Sequence, residues 1–174
     1  PSEILTAATE KLANAAEAVP PLPEFAPALP GPETIVRVKR VVDGDTLVIL
    51  NAGREERIRM LNVDTPESVH PEAKKNTLIG RRASDFTKRE LENRQVRIEE
   101  ASAETEVGDE KDRYGRVLAY VLVDGENFNV RLVREGYSFY ETKYGKSRRY
   151  DHEFKLAEAE AKSNQRGLWA TGVK

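Results

Sequence analysis

The sequence predicts an α+β protein built on a small, closed β-barrel with about three helices. Five short segments are rich in β-branched and apolar residues, turn-forming residues separate them, and helical periodicity occurs between and after them. Cysteine is absent, charged residues make up 33% of the chain and apolar residues 39%. This composition excludes a disulfide framework and a thiol nucleophile, and it favours one globular domain with a modest core. No apolar run approaches the roughly 18 residues that a membrane span needs.

Five strands are predicted from the alternating segments and the turns between them. Asp43-Gly44 and Asp124-Gly125 are tight-turn dipeptides, and Asn51-Ala52-Gly53 separates two of the strands. The predicted strands cover residues 34–42, 46–50, 57–63, 95–100 and 116–123. Five strands with helices inserted in this order fit a strongly twisted, five-stranded Greek-key barrel of the OB type.

Three helices are predicted, over residues 78–93, 129–135 and 147–163. Gly136 follows the second helix and is expected to take the C′ position, which favours glycine. Trp169, the only tryptophan, is expected to plug the barrel beside the last helix. The residues of the last helix that are expected to face inward are Phe154, Leu156, Ala157 and Ala161.

Residues 1–33 are predicted to form a leader that precedes the barrel domain of residues 34–174. Apolar residues three and four apart predict a helix over residues 2–19, and residues 20–33 are a proline-rich, semi-rigid linker. Such a helix needs a surface to pack on, since short isolated helices are marginal in water. Two interpretations stay open: the helix folds onto its own domain, or it mediates contacts with a partner or a second copy. We expect a monomer.

The formal net charge of −2 hides an uneven distribution of charge. Residues 1–33 carry five acidic residues and one lysine, and a predicted loop at residues 99–112 carries seven acidic residues and one lysine. The rest of the chain contains 26 basic and 18 acidic residues. A basic body with acidic appendages is compatible with binding a polyanion.

The stretch from Asp43 to Glu67 concentrates the residues expected to carry chemistry. Pairing of the strands that it contains would bring Asp45 and Asp64 together at strand ends, beside Arg59. Carboxylate oxygens suit a hard cation such as calcium, and the planar guanidinium of an arginine suits a phosphate. A cation site, a phosphate clamp and a spare carboxylate are the parts of a phosphodiesterase.

The chain resembles the staphylococcal nuclease (thermonuclease) family from about Ile35 to Trp169, which is most of its length. Five pieces occur in the family's order, and together they are specific although each alone is weak. They are Asp43-Gly44-Asp45-Thr46, residues 59–67, Asp112-Arg113-Tyr114-Gly115-Arg116, Leu132-Val133-Arg134-Glu135-Gly136, and Ala157–Lys162 before Gly167-Leu168-Trp169. The resemblance implies the same barrel.

The resemblance also implies a metal site. In that family two aspartates and a threonine carbonyl bind Ca²⁺, and the matching positions here are Asp45, Asp64 and Thr65. The residue that matches the motif's first aspartate, Asp43, lies just outside and contacts metal-bound water.

Three catalytic residues are implied by the same resemblance. Arg59 and Arg116 match the arginines that clamp the scissile phosphate, and Glu67 matches the glutamate that holds the attacking water. Whether Glu67 acts as general base or as water positioner stays open. The residues expected to contact the nucleotide are Arg113, Tyr114 and Tyr144.

Two departures from the family pattern occur. Thr142 stands where a second nucleotide-flanking tyrosine is usual, so Phe139 and Tyr140 either replace it or pack in the core. The acidic loop at 99–112 looks longer than usual and either holds a second cation or is simply solvated. His70 is interpreted as a surface residue.

The leading hypothesis is a Ca²⁺-dependent nuclease that hydrolyses DNA and RNA with little sequence specificity and leaves 3′-phosphate ends. End chemistry and sugar tolerance come from the resemblance, as does the expectation of a secreted or cell-envelope-associated protein; no signal peptide is visible in this chain. Single-stranded substrates are expected to be preferred. The alternative is a non-catalytic OB-fold module that only binds nucleic acid.

Overall fold

The computed structural model describes residues 34–68, 77–101 and 111–170. The predicted leader helix at 2–19, the linker at 20–33, His70 and most of the acidic loop lie outside these ranges. Within them, no helix is long and apolar enough to cross a membrane.

The described residues form a β-barrel with three α-helices. The strands are β1 (Thr34–Asp43), β2 (Thr46–Asn51), β3 (Arg54–Met60), β4 (Gln95–Glu100), β5 (Val117–Val123) and the two-residue β6 (Glu126–Asn127). The helices are α1 (Leu78–Leu91), α2 (Phe128–Arg134) and α3 (Asp151–Ser163), and a 3-10 turn covers Gly167–Trp169.

Five of the strands close the barrel, which confirms the predicted fold class. The strands follow the order β3-β2-β1-β4-β5-β6, and a further pairing between β3 and β5 joins the two sides of the sheet. That closing pair is parallel, with Arg59 opposite Leu118, whereas the other pairs are antiparallel. Closure removes the exposed edges that an open sheet would present. The sixth strand, β6, was not predicted because it only extends the Asp124-Gly125 turn.

Apolar side chains from the strands and helices fill the barrel. Leu47, Ile58 and Met60 are almost fully buried inside it, and Phe128 and Phe154 join the same core from α2 and α3. The buried side chain of Asn129 fixes α2 on the barrel, because it bonds to the backbone on both sides of the closing seam. Its Nδ2 donates to the carbonyls of Leu61 at 3.0 Å and Ala119 at 3.1 Å, and its Oδ1 accepts from the Val121 N–H at 3.0 Å.

The helix predictions for α1 and α2 are confirmed within two residues at each end, and Gly136 does end α2. Its φ is +76° and its N–H donates to the Val133 carbonyl at 3.0 Å. The prediction for α3 is wrong at its start, since the helix begins at Asp151 rather than residue 147. Leu156 is also misplaced: it is 58% exposed, not inward.

Trp169 does not plug the barrel. Its ring meets Phe139 edge-on, with centroids 5.0 Å apart, and the Lys162 ammonium lies 4.4 Å from its centroid. It therefore packs beside α3 on the outside of the core, and it remains partly exposed.

The two ends of the predicted acidic loop belong to ordered structure. Glu99 lies in β4, where its Oε2 accepts from the Tyr150 hydroxyl at 2.7 Å and from Arg149 at 3.0 Å. Asp112 is paired with Arg116. Side chains of the described structure thus engage both carboxylates.

Candidate active site

A buried carboxylate lies at the turn between β1 and β2. Asp45 is only 6% exposed, and its two oxygens accept three hydrogen bonds. The donors are the Thr65 N–H at 2.8 Å, the Thr65 hydroxyl at 3.1 Å and the Thr46 hydroxyl at 3.0 Å. These donors compensate for the desolvation of the carboxylate, which would otherwise be costly. They also fix Thr65 against the turn.

Arg59 joins Asp45 to Asp64. The β2–β3 register places Arg59 opposite Thr46, which is next to Asp45 in the sequence. Its guanidinium lies 2.8 Å from Asp64 Oδ1 and 3.4 Å from Asp45 Oδ2, and it also donates to the Val63 carbonyl at 2.7 Å. One guanidinium therefore reaches both carboxylates, and the structure brings together Asp45, Asp64, Thr65 and Arg59 as the sequence predicted.

The pKa of Asp64 is raised above its ordinary value. Partial burial is the main cause; the Arg59 guanidinium opposes it, and the negative charges of Asp45 and Glu141 add to it. The carboxylates thus repel one another across the site, and a cation bound between them would relieve that repulsion.

Arg116 is held in place by Asp112. The Arg116 Nε–H donates to Asp112 Oδ2 at 2.7 Å, and the other carboxylate oxygen accepts the N–H groups of Arg116 and Tyr114 at 2.9 Å. Burial alone would raise the pKa of Asp112, but these hydrogen bonds together hold the pKa below its usual value. Since Nε is occupied, the terminal nitrogens of Arg116 face the site, where Nη1 lies 3.4 Å from the Thr46 hydroxyl.

An open cleft of about 470 Å³ lies over these groups. Arg59, Asp64 and Arg116 line its floor, while Tyr114 and Tyr144 line its sides. The two tyrosines are 66% and 69% exposed, which is unusual for large aromatic rings. Arg113 also lines the cleft, and its guanidinium lies 4.8 Å from the Tyr114 ring centroid. Exposed aromatic rings can stack on bases, and the guanidinium groups beside them can bind phosphates.

Glu67 and Asp43 lie apart from the cleft lining. Asp43 Oδ1 accepts from the Ser68 hydroxyl at 2.6 Å, which ties the segment after Glu67 to the β1–β2 turn. Glu67 is exposed; its carbonyl accepts the Thr77 N–H at 3.0 Å, and among the described residues no hydrogen bond or ion pair engages its carboxylate. Glu67 does not line the cleft, and among the described residues it forms no ion pair with Arg59 or Arg116.

The donor set fits a hard cation. Asp45 and Asp64 offer carboxylate oxygens that one guanidinium already bridges, and Thr65 lies against Asp45. No cluster of three or more metal-ligating side chains occurs in the described part of the chain. Asp45 and Asp64 are the side chains that could hold such an ion, with water among the remaining ligands. Calcium accepts such a mixed, irregular set of about 6–8 oxygens.

Several side chains that support the site were not predicted from the sequence. Ser138 accepts the Asp64 N–H at 2.8 Å, and Asp112 holds Arg116 as described above. Asn62, between Arg59 and Asp64, binds a loop on the far wall of the cleft. Asp112 was visible as part of a motif, but no local pattern signals the long-range contacts of Asn62 and Ser138.

A closed OB-type barrel whose open cleft holds two arginines beside Asp64 fits a phosphodiester hydrolase of the nuclease class. Comparisons with known proteins agree. A family model described as "Staphylococcal nuclease homologue" matches residues 57–171. The chain is 40% identical to a thermonuclease of Staphylococcus hyicus over 144 residues, which cover 79% of this chain and 77% of the relative.

Other relatives carry similar names. A thermonuclease of Staphylococcus intermedius is 42% identical over 135 residues, covering 76% of this chain and 74% of the relative. Endonuclease YncB of Bacillus subtilis is 36% identical over 135 residues, covering 78% of this chain and 61% of the relative. The chain belongs to the staphylococcal nuclease family.

Proposed function

We propose that this protein is a Ca²⁺-dependent nuclease that hydrolyses DNA and RNA with little sequence specificity and leaves 3′-phosphate ends. The observation that carries the proposal is the shared cleft, which is lined by Arg59, Asp64 and Arg116 together with two exposed tyrosines. The thermonuclease and endonuclease names of the relatives support the reaction class.

The two arginines are proposed to clamp the scissile phosphate. A phosphate that enters the cleft can replace Asp64 as the partner of the Arg59 terminal nitrogen. Arg116 needs no such exchange, because Asp112 engages its Nε and leaves the terminal nitrogens to the substrate. Arg59 therefore binds the ground state, while Arg116 adds charge-assisted hydrogen bonds as negative charge develops in the transition state.

Asp45, Asp64 and the Thr65 carbonyl are the residues that would hold Ca²⁺, with Asp43 beside them. When bound, the cation supplies positive charge that neutralises charge on the phosphoryl oxygens. Glu67 orients or deprotonates the attacking water; its carboxylate is exposed and forms no hydrogen bond or ion pair with the described residues. Each group thus acts on one part of the displacement of the leaving oxygen by water at phosphorus.

The nucleotide is proposed to lie between Tyr114 and Tyr144, near Arg113. Stacking on an aromatic ring is worth about 1–3 kcal/mol per base and tolerates every base. Low sequence specificity is therefore expected. Stacking needs an unpaired base, so single-stranded DNA and RNA are the preferred substrates.

The test is to incubate labelled single-stranded DNA and RNA with the full chain and Ca²⁺, Mg²⁺ or a chelator. Calcium is expected to support cleavage far better than Mg²⁺, which demands near-octahedral geometry at roughly 2.0–2.1 Å. Products with 3′-phosphate ends should resist polymerase extension until a phosphatase removes the phosphate.

Two variants test whether cleavage depends on Arg116 in particular. Arg116→Ala should abolish most cleavage, whereas Arg54→Ala, a matched loss of charge at the exposed far end of β3, should not. Binding without cleavage under every metal condition would instead support a module that only binds nucleic acid. Equal rates with Ca²⁺ and Mg²⁺ would contradict the assigned ligands.

We also propose a monomer that is secreted or associated with the cell envelope. Mass measurement of the purified chain tests the first point, and fractionation of the source cells and medium tests the second. Cofractionation with cytosolic enzymes would contradict the proposed compartment.

A further inference from the structure

Residues 141–146 contribute one wall of the cleft and are named the wall loop from here on. Glu141, Lys143 and Tyr144 from this loop line the cleft. The loop has no helix or strand of its own, and Tyr144 is 69% exposed. Contacts from outside the loop therefore help to fix the position of Tyr144 in the cleft.

Asn62 provides that support from the turn after β3. Its side-chain amide Nδ2 donates to the Glu141 carbonyl at 3.0 Å and to the Gly145 carbonyl at 2.9 Å. Its own carbonyl accepts the Glu141 N–H at 3.0 Å. One residue thus binds both ends of the segment that carries Lys143 and Tyr144.

A second set of hydrogen bonds fixes the Asn62 amide itself. The hydroxyl of Tyr120 lies 2.8 Å from Asn62 Oδ1 and 2.7 Å from the Ser147 hydroxyl. An amide oxygen can only accept, so Tyr120 donates to Asn62 and accepts from Ser147. The Ser147 N–H in turn donates to the Tyr140 hydroxyl at 2.9 Å. The orientation of the amide is therefore determined, with both Nδ2 hydrogens directed at the wall loop.

The backbone of Asn62 suits this role. Its φ is +58°, in the left-handed region that asparagine and glycine tolerate best. The turn that joins Arg59 to Asp64 therefore also directs the Asn62 side chain to the wall loop.

We propose that Asn62 is a positioning residue that sets the width of the nucleotide cleft by fixing the wall loop, and with it Tyr144. The proposal rests on the proposed function for the identity of the ligand, a single-stranded oligonucleotide. Asn62 need not touch that ligand, because it acts through the loop.

The test compares the full chain with Asn62→Gly and with Tyr150→Phe. Glycine removes the amide while it keeps the left-handed backbone free of strain. Tyr150→Phe is the matched control, since it removes a hydroxyl bonded to Glu99, at 2.7 Å, away from the wall loop. Hydrogen exchange of residues 141–147, the dissociation constant for a labelled oligonucleotide in chelator, and kcat and KM in Ca²⁺ are measured for all three proteins.

Asn62→Gly is expected to speed exchange in the wall loop and to raise the dissociation constant and KM by about tenfold, the effect of losing one base stack, with kcat changed little. Tyr150→Phe should leave exchange in the loop and KM unchanged. Unaltered loop exchange in Asn62→Gly, or a fall in kcat at constant KM, would overturn the proposal. If the parent protein does not cleave, exchange and binding still decide the role of Asn62, so failure of the proposed function is a separate outcome.

Discussion

The two cleft arginines differ in how far the fold depends on them. Arg59 donates to the backbone carbonyls of Met60 and Val63 and pairs with two carboxylates, of which Asp45 is buried. Arg116 bonds mainly to Asp112, which keeps two backbone N–H donors if the guanidinium is lost. Removing a partner from buried polar groups costs more when nothing else can replace it.

Arg59→Ala is therefore expected to lower the free energy of unfolding by about 2–4 kcal/mol and also to abolish cleavage. Arg116→Ala should lower the free energy of unfolding by only about 1 kcal/mol, although its loss of turnover should be equally severe. Urea unfolding in chelator and the rate of oligonucleotide cleavage in Ca²⁺ measure the two effects separately. Equal losses of stability would contradict the difference in their contacts.

Glu67 is expected to matter for turnover and not for the fold. Its side chain is exposed and makes no hydrogen bond to the described residues, so Glu67→Gln should leave the circular dichroism spectrum and the melting temperature unchanged. A lost general base or water positioner lowers rates by about 10²–10⁴-fold. A folded, fully active Glu67→Gln protein would remove this residue from the mechanism.

At the scale of elements, α1 packs directly on the backbone that carries Glu67. A Cβ built on Gly80 would lie 2.3 Å from the Glu67 carbonyl oxygen and 2.5 Å from that of Pro66. These oxygens belong to backbone and cannot rotate away. Glycine is thus required where the helix meets the loop.

Gly80→Ala is expected to destabilise the protein by about 1–3 kcal/mol, the usual cost of overpacking. The direction of the change in stability tests the contact, because glycine to alanine inside an unobstructed helix stabilises a protein by about 1 kcal/mol. Turnover should fall as well, since the helix or the Glu67 segment has to shift. Arg81→Ala, the next residue and an exposed one, is the control for urea unfolding and cleavage. A more stable Gly80→Ala protein would show that the contact is not rigid.

Local sequence patterns predicted the strands and helices, and long-range contacts changed where some of them begin or end. The barrel strands, α1 and α2 followed from alternation, turn residues and helical spacing. The start of α3 did not follow from such patterns. The Ser147 N–H donates to the Tyr140 hydroxyl, and the Tyr150 N–H donates to the Ser147 hydroxyl, each at 2.9 Å. These bonds hold residues 147–150 as a turn, although their sequence continues the helical pattern.

The same distinction applies to the candidate site. Arg59 and Asp64 were predicted together because they share one turn, and Asp45 because strand pairing brings it beside them. The partners of Asn62 lie 58, 79 and 83 positions further along the chain, so no spacing in the sequence indicates them.

The alkaline limit of the whole molecule is predicted by one buried tyrosine, Tyr120, and two half-buried ones, Tyr140 and Tyr150. Burial raises the pKa of Tyr120 to about 12, and burial likewise raises the pKa of Tyr140 and Tyr150. Because these pKa values exceed the unfolded value of about 10, their contribution to stability is complete below about pH 10 and is lost as the pH rises toward 12.

The free energy of unfolding should accordingly fall steeply between about pH 10 and 12, as the unfolded chain ionises tyrosines that the folded chain keeps neutral. Urea unfolding at a series of pH values measures the slope. Tyr150→Phe removes one of the three groups and should make the slope shallower, although it lowers stability at pH 8. An unchanged slope in that variant would show that Tyr150 ionises equally in both states.

The distribution of charge over the whole chain predicts how residues 1–33 affect the substrate. This leader carries five acidic residues and one lysine, whereas the chain without the leader and the acidic 99–112 segment has 26 basic and 18 acidic residues. An acidic leader opposes the attraction of a basic body for nucleic acid. The Debye length is roughly 30 Å at 0.01 M salt and roughly 8 Å at 0.15 M, so this opposition should act at a distance only in low salt.

Deleting residues 1–33 is therefore expected to raise kcat/KM severalfold at 0.01 M salt and to have little effect at 0.15 M, with kcat unchanged at both. The matched control is the full-length chain in which Glu3, Glu10, Glu17, Glu24 and Glu33 become glutamine. This variant removes the negative charge and keeps the apolar stripe, so it should reproduce the salt-dependent gain if the leader acts by repulsion. If the leader instead packs on the barrel, deletion lowers the melting temperature at both salt concentrations, while the glutamine variant melts like the parent. A gain in kcat/KM that persists undiminished at 0.15 M salt would contradict long-range repulsion.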